Sequence, residues 1–262
     1  LLPFHNDLTA MSRGKLHFAR PQRYIARMRV WQIMFGAALL GLAGCGVVPA
    51  PPSGGQVPDL RLPPQLAAQN FVAVVDAVEP VAESVCLGAG MQGNCDFQIA
   101  IDWRAGQPPN AFQTVDDAGR PIIAFTLSLI ATARSRDELA FIMGHEAGHH
   151  IAGHLARQQD SAMRGAVLAG AMAQASGLDS AAVDRAAQLG AGIGARRYSK
   201  NFELEADVIG TRIAFAAGFD PVLGAAFFDR LPDPGDRFLG THPANDNRKA
   251  LVLGETARLR GQ

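Results

Sequence analysis

The chain has 262 residues, with 24 Lys and Arg balancing 24 Asp and Glu, three cysteines and seven histidines. Its length fits one domain with appendages, and 48% hydrophobic against 18% charged residues excludes disorder as a description of the whole chain. Three cysteines are too few for a disulfide scaffold, and the balanced charge offers no basic face for nucleic-acid phosphates.

The charge is unevenly spread. Arg13, Lys15, Arg20, Arg23, Arg27 and Arg29 crowd the N-terminus with only Asp7 against them. An apolar run of 14 residues follows, from 30 to 43, and leads into Leu42-Ala43-Gly44-Cys45. A basic region, a short apolar region and small residues at a cleavage point make a secretory signal. Fourteen helical residues rise about 21 Å, short of the ~30 Å hydrocarbon core, so the run reads as a signal rather than a permanent span. Leu-Ala-Gly-Cys resembles the lipobox of bacterial lipoproteins, which implies lipidation of Cys45 and a membrane anchor; an uncleaved helical anchor is the alternative. By analogy with enteric bacteria, Gly46 after the cysteine favours the outer membrane over the inner. Met28 precedes the apolar run, so residues 1–27 read as an over-extended start or n-region and 28–44 as the lipoprotein signal peptide. Residues 45–262 then carry 18 Lys and Arg against 23 Asp and Glu, a net charge of −5. Such a body suits a lipid tether better than a polybasic patch.

Residues 45–64 hold Pro49, Pro51, Pro52, Pro58, Pro63 and Pro64, together with Gly54-Gly55. This composition favours polyproline or coil and predicts a tether whose residues 49–64 span roughly 50 Å when extended. The domain occupies residues 65–262. Leu66, Phe71, Val74, Val75, Val78 and Val81 predict a helix over 65–85. Residues 97–103 alternate as a strand, and 111–115 and 121–126 are two more strands joined by a turn at 116–119. From Ser135 the pattern is helical, so helix, small sheet and helices predict an α+β fold. Cys86 and Cys95, separated by a glycine-rich loop, are natural disulfide partners in an oxidising compartment.

Ser135 with Glu138 three residues later is a capping-box pattern, and the helix it opens contains His145-Glu146-Ala147-Gly148-His149. Histidines four apart share one helix face and can take two tetrahedral positions on zinc, with Glu146 beside a zinc-bound water. His150 and His154 lie about 100° and 140° from that face on a continuous helix, so both read as packing or hydrogen-bonding residues rather than ligands. Downstream, Glu203 and Asp207 are four apart among Phe202, Leu204, Ala206, Val208 and Ile209. One carboxylate can bind the metal while the other orients a ligand histidine. Glu205 points elsewhere and ranks behind them. Residues 162–194, rich in Ala and Gly, read as packed helices and a mobile cover rather than a membrane span.

Together these residues resemble the HtpX-like zinc metallopeptidases (peptidase family M48), which include the CAAX prenyl proteases and the Oma-type quality-control peptidases. His-Glu-x-x-His followed by Ser199-Lys200-x-x-Glu203-x-Glu205-Ala206-Asp207-x-x-Gly210 carries the resemblance. Asp137-Glu138-Leu139-Ala140, Pro109-Asn110-Ala111-Phe112, Ala217-Gly218-Phe219-Asp220-Pro221 and Thr241-His242-Pro243 with Arg248 extend it over about residues 65–255. Two features depart from the family: Lys200 stands where Arg is common, and residues 113–117 replace a Gly-rich strand.

The resemblance implies a mostly helical zincin-type (gluzincin) fold with the small sheet beside the His-Glu-x-x-His helix. It also implies one Zn2+ per chain, held by His145, His149 and Glu203 with Asp207 behind them. Glu146 is then the general base. His242 and Arg248 match positions that stabilise the oxyanion; His242 is alternatively a histidine that fills the open zinc position at rest, or a surface-loop residue. The function implied is a zinc endopeptidase acting on unfolded or misassembled envelope polypeptides, lipid-anchored and facing the periplasm. A metal-binding chaperone or assembly factor is the alternative. An extended substrate is expected to add to a sheet edge, with residues 121–126 as the candidate edge.

Overall fold

A computed structural model describes residues 8–12, 15–16, 62–91, 93–197, 199–230 and 244–262. The signal, Cys45, most of the tether and His242 lie outside the described residues. Two short strands, β1 (Leu8–Ser12) and β2 (Lys15–Leu16), precede the first helix, α1 (Pro64–Gly88). Pro64 opens α1 at a position where its missing N–H costs nothing. The buried stripe of α1 is Ala67, Phe71, Val74, Val75, Val78, Ala82 and Cys86. Leu66, expected on this stripe, is 41% exposed, and Ala67 takes the inward position.

Three strands follow: β3 (Gln98–Asp102), β4 (Ala111–Val115) and β5 (Pro121–Thr126). The β4–β5 turn is the one expected from sequence. Asp116 Oδ1 accepts from the N–H groups of Ala118 and Arg120, and Gly119 takes φ +78°, which glycine adopts without a Cβ clash. The sheet order is β2-β1-β3-β5-β4, with β3 parallel to β5 and the other pairs antiparallel. β5 is therefore interior and β4 is the edge, which corrects the expectation that residues 121–126 form the free edge. The physical reason is visible in composition: Ile122, Ile123, Ala124 and Phe125 suit a strand covered on both faces, whereas Gln113 and Thr114 suit an edge.

Helices complete the fold: α2 (Leu127–Thr132), α3 (Arg136–Ile151), α4 (His154–Ala175), α5 (Ser180–Arg197), α6 (Ser199–Ala216), α7 (Pro221–Gly224), a 3-10 turn at Ala225–Arg230 and α8 (Asn245–Arg260). The main core lies between α1, β3, β5 and α3, with Phe71 edge-on to Phe125 at 5.1 Å. A disulfide between Cys86 and Cys95, Cα atoms 5.7 Å apart, ties the end of α1 to the approach to β3. α4 and α5 pack as a hairpin, and large apolar side chains (Met163, Val167, Leu168, Met172, Leu189 and Ile193) face solvent on it. No helix among the described residues is long and apolar enough to cross a membrane.

Glu79 on α1 carries a pH signature. Burial, then Glu83 and Asp96, push its carboxyl up to about 7 against the opposing Arg120. The folded value exceeds the unfolded one, so the folded state binds more protons between pH 4.5 and 7 and stability falls as pH rises through that window. Glu79→Gln is expected to stabilise the protein above pH 7 by about 1 kcal/mol, since solvent screens the partly exposed carboxylate. Thermal melts at pH 8 should show the gain and melts at pH 4 should not.

Candidate metal centre

α3 brings three of the predicted site residues together. Ser135 caps it by accepting from the Glu138 N–H at 3.1 Å, and Glu138 reaches back to the Arg134 N–H at 2.7 Å. Arg230 closes this end with a two-pronged contact to Glu138, both distances 2.6 Å. α3 is buried along most of its length, which fixes its rotation in the core and so the direction of His145, Glu146 and His149.

α6 supplies Glu203 and Asp207 by crossing α3 at unusually close range. A Cβ on Gly210 would lie 2.6 Å from the His145 backbone nitrogen, and one on Gly148 would lie 2.9 Å from the Ala206 carbonyl oxygen. Neither position has room for a side chain. The glycine inside His-Glu-Ala-Gly-His therefore has a packing role, and the crossing carries Glu203 and Asp207 to the histidines.

His145 Nε2 and His149 Nε2 are 3.0 Å apart, and each lies 3.5 Å from an oxygen of Glu203. A tetrahedral zinc with bonds near 2.0–2.1 Å separates its ligand atoms by about 3.3 Å, so the three donors fit the edges of one tetrahedron. They are the one group of three metal-capable side chains found among the described residues. His145 is also held from behind. The Asp207 carboxylate accepts from His145 Nδ1 at 2.9 Å and takes a fork from Arg248, Nε and Nη2 both at 2.7 Å. Asp207 is 0% and Arg248 5% exposed.

The electrostatics favour positive charge between the carboxylates. Burial opposes a charged His145, but hydrogen bonds to Asp207 and Glu203 outweigh it and raise its pKa to about 10. His149 is pushed down to about 3 by burial and by His145 beside it. Burial raises Glu146, with Glu203 adding to it, while His145, Arg248 and the backbone N–H of Gln113 oppose. Gln113 lies on the edge strand β4.

Other predicted residues fall where their chemistry leads. His150 contacts the Asn94 carbonyl oxygen at 2.8 Å, beside the disulfide loop. His154 contacts His149 and Glu205, and neither His150 nor His154 joins the group formed by His145, His149 and Glu203. Arg248 directs its fork at Asp207 and lies 3.4 Å from Glu203, which makes it a buried partner of the carboxylates. His242 lies outside the described residues. A cleft of about 580 Å³ opens over the centre, bordered by Asn110 to Gln113 on one side and by Leu155, Phe202 and Phe227 on others.

Residues 76–255 match the model of Peptidase family M48. The chain belongs to this family. It is 30% identical over 135 residues to the mitochondrial metalloendopeptidase OMA1 of Arabidopsis thaliana, a match covering 50% of this chain and 27% of that protein. It is 33% identical over 140 residues to a Vibrio cholerae protein named "Putative beta-barrel assembly-enhancing protease", covering 48% of this chain and 29% of that one. The matched region thus spans under a third of the length of either relative. M48 membership accounts for the His-His-Glu donor set and for a metallopeptidase fold that is mostly helical with a small sheet.

Proposed function

We propose that this chain is a zinc endopeptidase that cleaves unfolded or misassembled polypeptides of the bacterial cell envelope, held at the membrane by lipid on Cys45. The observation that carries the reading is the meeting of His145, His149 and Glu203, with Glu146 beside them, in a group that could hold a metal ion in an M48 chain. The V. cholerae relative's name supports an envelope setting. Cleavage before Cys45 would remove β1 and β2, leaving β3, β5 and β4 as the sheet of the mature domain.

Held by His145, His149 and Glu203, zinc would supply Lewis acidity toward a water and a peptide carbonyl. The protein's own groups do the rest. Glu146 takes the proton from the attacking water and passes it to the leaving nitrogen. Asp207 and Arg248 hold His145 in the tautomer that presents Nε2. The edge strand β4 lines the cleft and offers backbone groups to an extended substrate, a mode that gives little sequence specificity. His242 keeps the oxyanion or resting-state role that the family resemblance implies.

Digestion of casein as a generic unfolded substrate tests the reading. Cleavage should stop on treatment with 1,10-phenanthroline and return with one equivalent of zinc. Cleavage by zinc-free protein at the untreated rate would overturn it. Retention of casein without cleavage would favour the chaperone reading.

A further inference from the structure

His145 and His149 are both candidate ligands, yet their outer nitrogens meet different partners. Asp207 orients His145 directly. Among the described residues no carboxylate contacts His149 Nδ1; its neighbour there is His154, with Nδ1 to Nδ1 at 2.9 Å. His154 Nε2 in turn lies 3.1 Å from Glu205 Oε2. Arg157 holds the same Glu205 oxygen at 2.9 Å.

The helix break that makes this contact is local. α3 ends at Ile151, and Gly153 takes φ +65°, a left-handed conformation that side-chain-bearing residues adopt only at a cost. The next helix starts at His154. On an uninterrupted helix, residue 154 would face about 140° away from residue 149; the break returns its ring to the ligand. The ring is then fixed in place. It is 4% exposed, stacks on Phe202 at 4.3 Å with the planes 14° apart, and Arg157 covers Phe202 at 4.5 Å.

The direction of the hydrogen bonds follows from the donor inventory. An ionised carboxylate only accepts, so His154 Nε2 carries the proton toward Glu205. A neutral imidazole has one N–H, so His154 Nδ1 accepts. His149 Nδ1 must then donate, and its Nε2 is left with a bare lone pair facing His145 Nε2 and Glu203. The opposite arrangement would put the proton on His149 Nε2, where the metal belongs.

We propose that His154 is a positioning residue for His149, relaying the anionic influence of Glu205 so that His149 Nε2 is aimed, deprotonated, at the metal. The inference deepens the zinc-site reading above and rests on it. The site then has two matched supports of different length: Asp207 directly behind His145, and Glu205 through His154 behind His149. It also gives a use to Glu205, which ligand spacing alone had left aside.

Zinc affinity of the full chain, measured by competition with a fluorescent chelator, tests the proposal apart from activity. His154→Phe keeps the ring over Phe202 but removes both nitrogens, and affinity should fall 10- to 100-fold. His154→Asn returns an acceptor near the Nδ1 position and should recover most of that loss. Glu205→Gln, which keeps an acceptor oxygen without the charge, should fall between. The visible spectrum of the cobalt-loaded protein should shift in His154→Phe and move back in His154→Asn. Wild-type affinity and an unchanged cobalt spectrum in His154→Phe would overturn the proposal while leaving the zinc site standing. Equal losses in His154→Phe and His154→Asn would also overturn it, because they would reflect packing alone. A wild-type chain that binds no stoichiometric zinc would remove the site reading and the proposal together.

Discussion

Glu146→Gln is expected to lower the rate of peptide-bond cleavage by at least 100-fold, and as much as 10,000-fold, while the protein still binds one zinc. The amide is nearly isosteric with the carboxylate, and its oxygen can still accept hydrogen bonds. What it cannot do is take a proton from water and return it to the leaving nitrogen. Stability should not suffer. Burial raises the pKa of Glu146, so its ionised form costs folding energy near neutral pH, and a neutral amide removes that cost. The melting temperature at pH 7 should therefore be unchanged or higher. Measuring kcat on a quenched peptide, zinc content and thermal unfolding on one preparation separates these effects. A variant that cleaves at the wild-type rate with zinc bound would remove Glu146 from the mechanism. A variant that loses its zinc would show that Glu146 supports the centre rather than the proton transfer.

The parts of this centre that were legible in the sequence are those set by the period of one helix. His145 and His149 share a face of α3 because they are four apart, and Glu203 and Asp207 share a face of α6 for the same reason. The Ser135 cap was legible too, since capping depends on residues within one turn. The parts that were not legible depend on what packs against what. The place of β4 at the sheet edge follows from strand order, which the local alternation of residues 111–126 does not encode. The Arg248 fork onto Asp207 joins residues 41 apart, and a motif position alone could not say that this arginine faces a carboxylate. The His149–His154 contact was hidden by treating the helix as continuous through Gly153. A glycine after a helical run is a known stop signal, so this break had a cue in the sequence.

The close crossing of α3 and α6 links the family motif to the fold. The third residue of Glu-Ala-Gly in α3 and Gly210 in α6 carry no chemistry, yet both sit where a methyl group would strike backbone. The distance from His145 and His149 to Glu203 is set by that contact, since the ligands project from two backbones held in van der Waals contact. The small residues in the motif thus specify the metal geometry as much as the ligands do.

Asp207→Ala is expected to cost 3–5 kcal/mol of stability and to weaken zinc binding 10- to 100-fold. The stability loss comes from the charge left behind. Arg248 is 5% exposed, and its Nε and Nη2 both contact Asp207 at 2.7 Å. Without that carboxylate the guanidinium is buried beside only one anion of the pair it now contacts, Glu203 at 3.4 Å. It should draw Glu203 toward itself and away from the histidines, and His145 loses the acceptor that fixes its Nδ1 proton. Both changes act against the metal. Replacing the two partners together separates the effects. Asp207→Leu with Arg248→Met removes both buried charges and should restore much of the stability, as neutral packing can replace a buried ion pair. It does not restore the acceptor for His145, so zinc affinity should stay low. Thermal unfolding and zinc titration of the single and double variants form the test. Recovery of zinc affinity in the double variant would show that the stranded charge, and not the lost His145 contact, governs the metal. A single variant as stable as the wild type would show that Arg248 finds another partner.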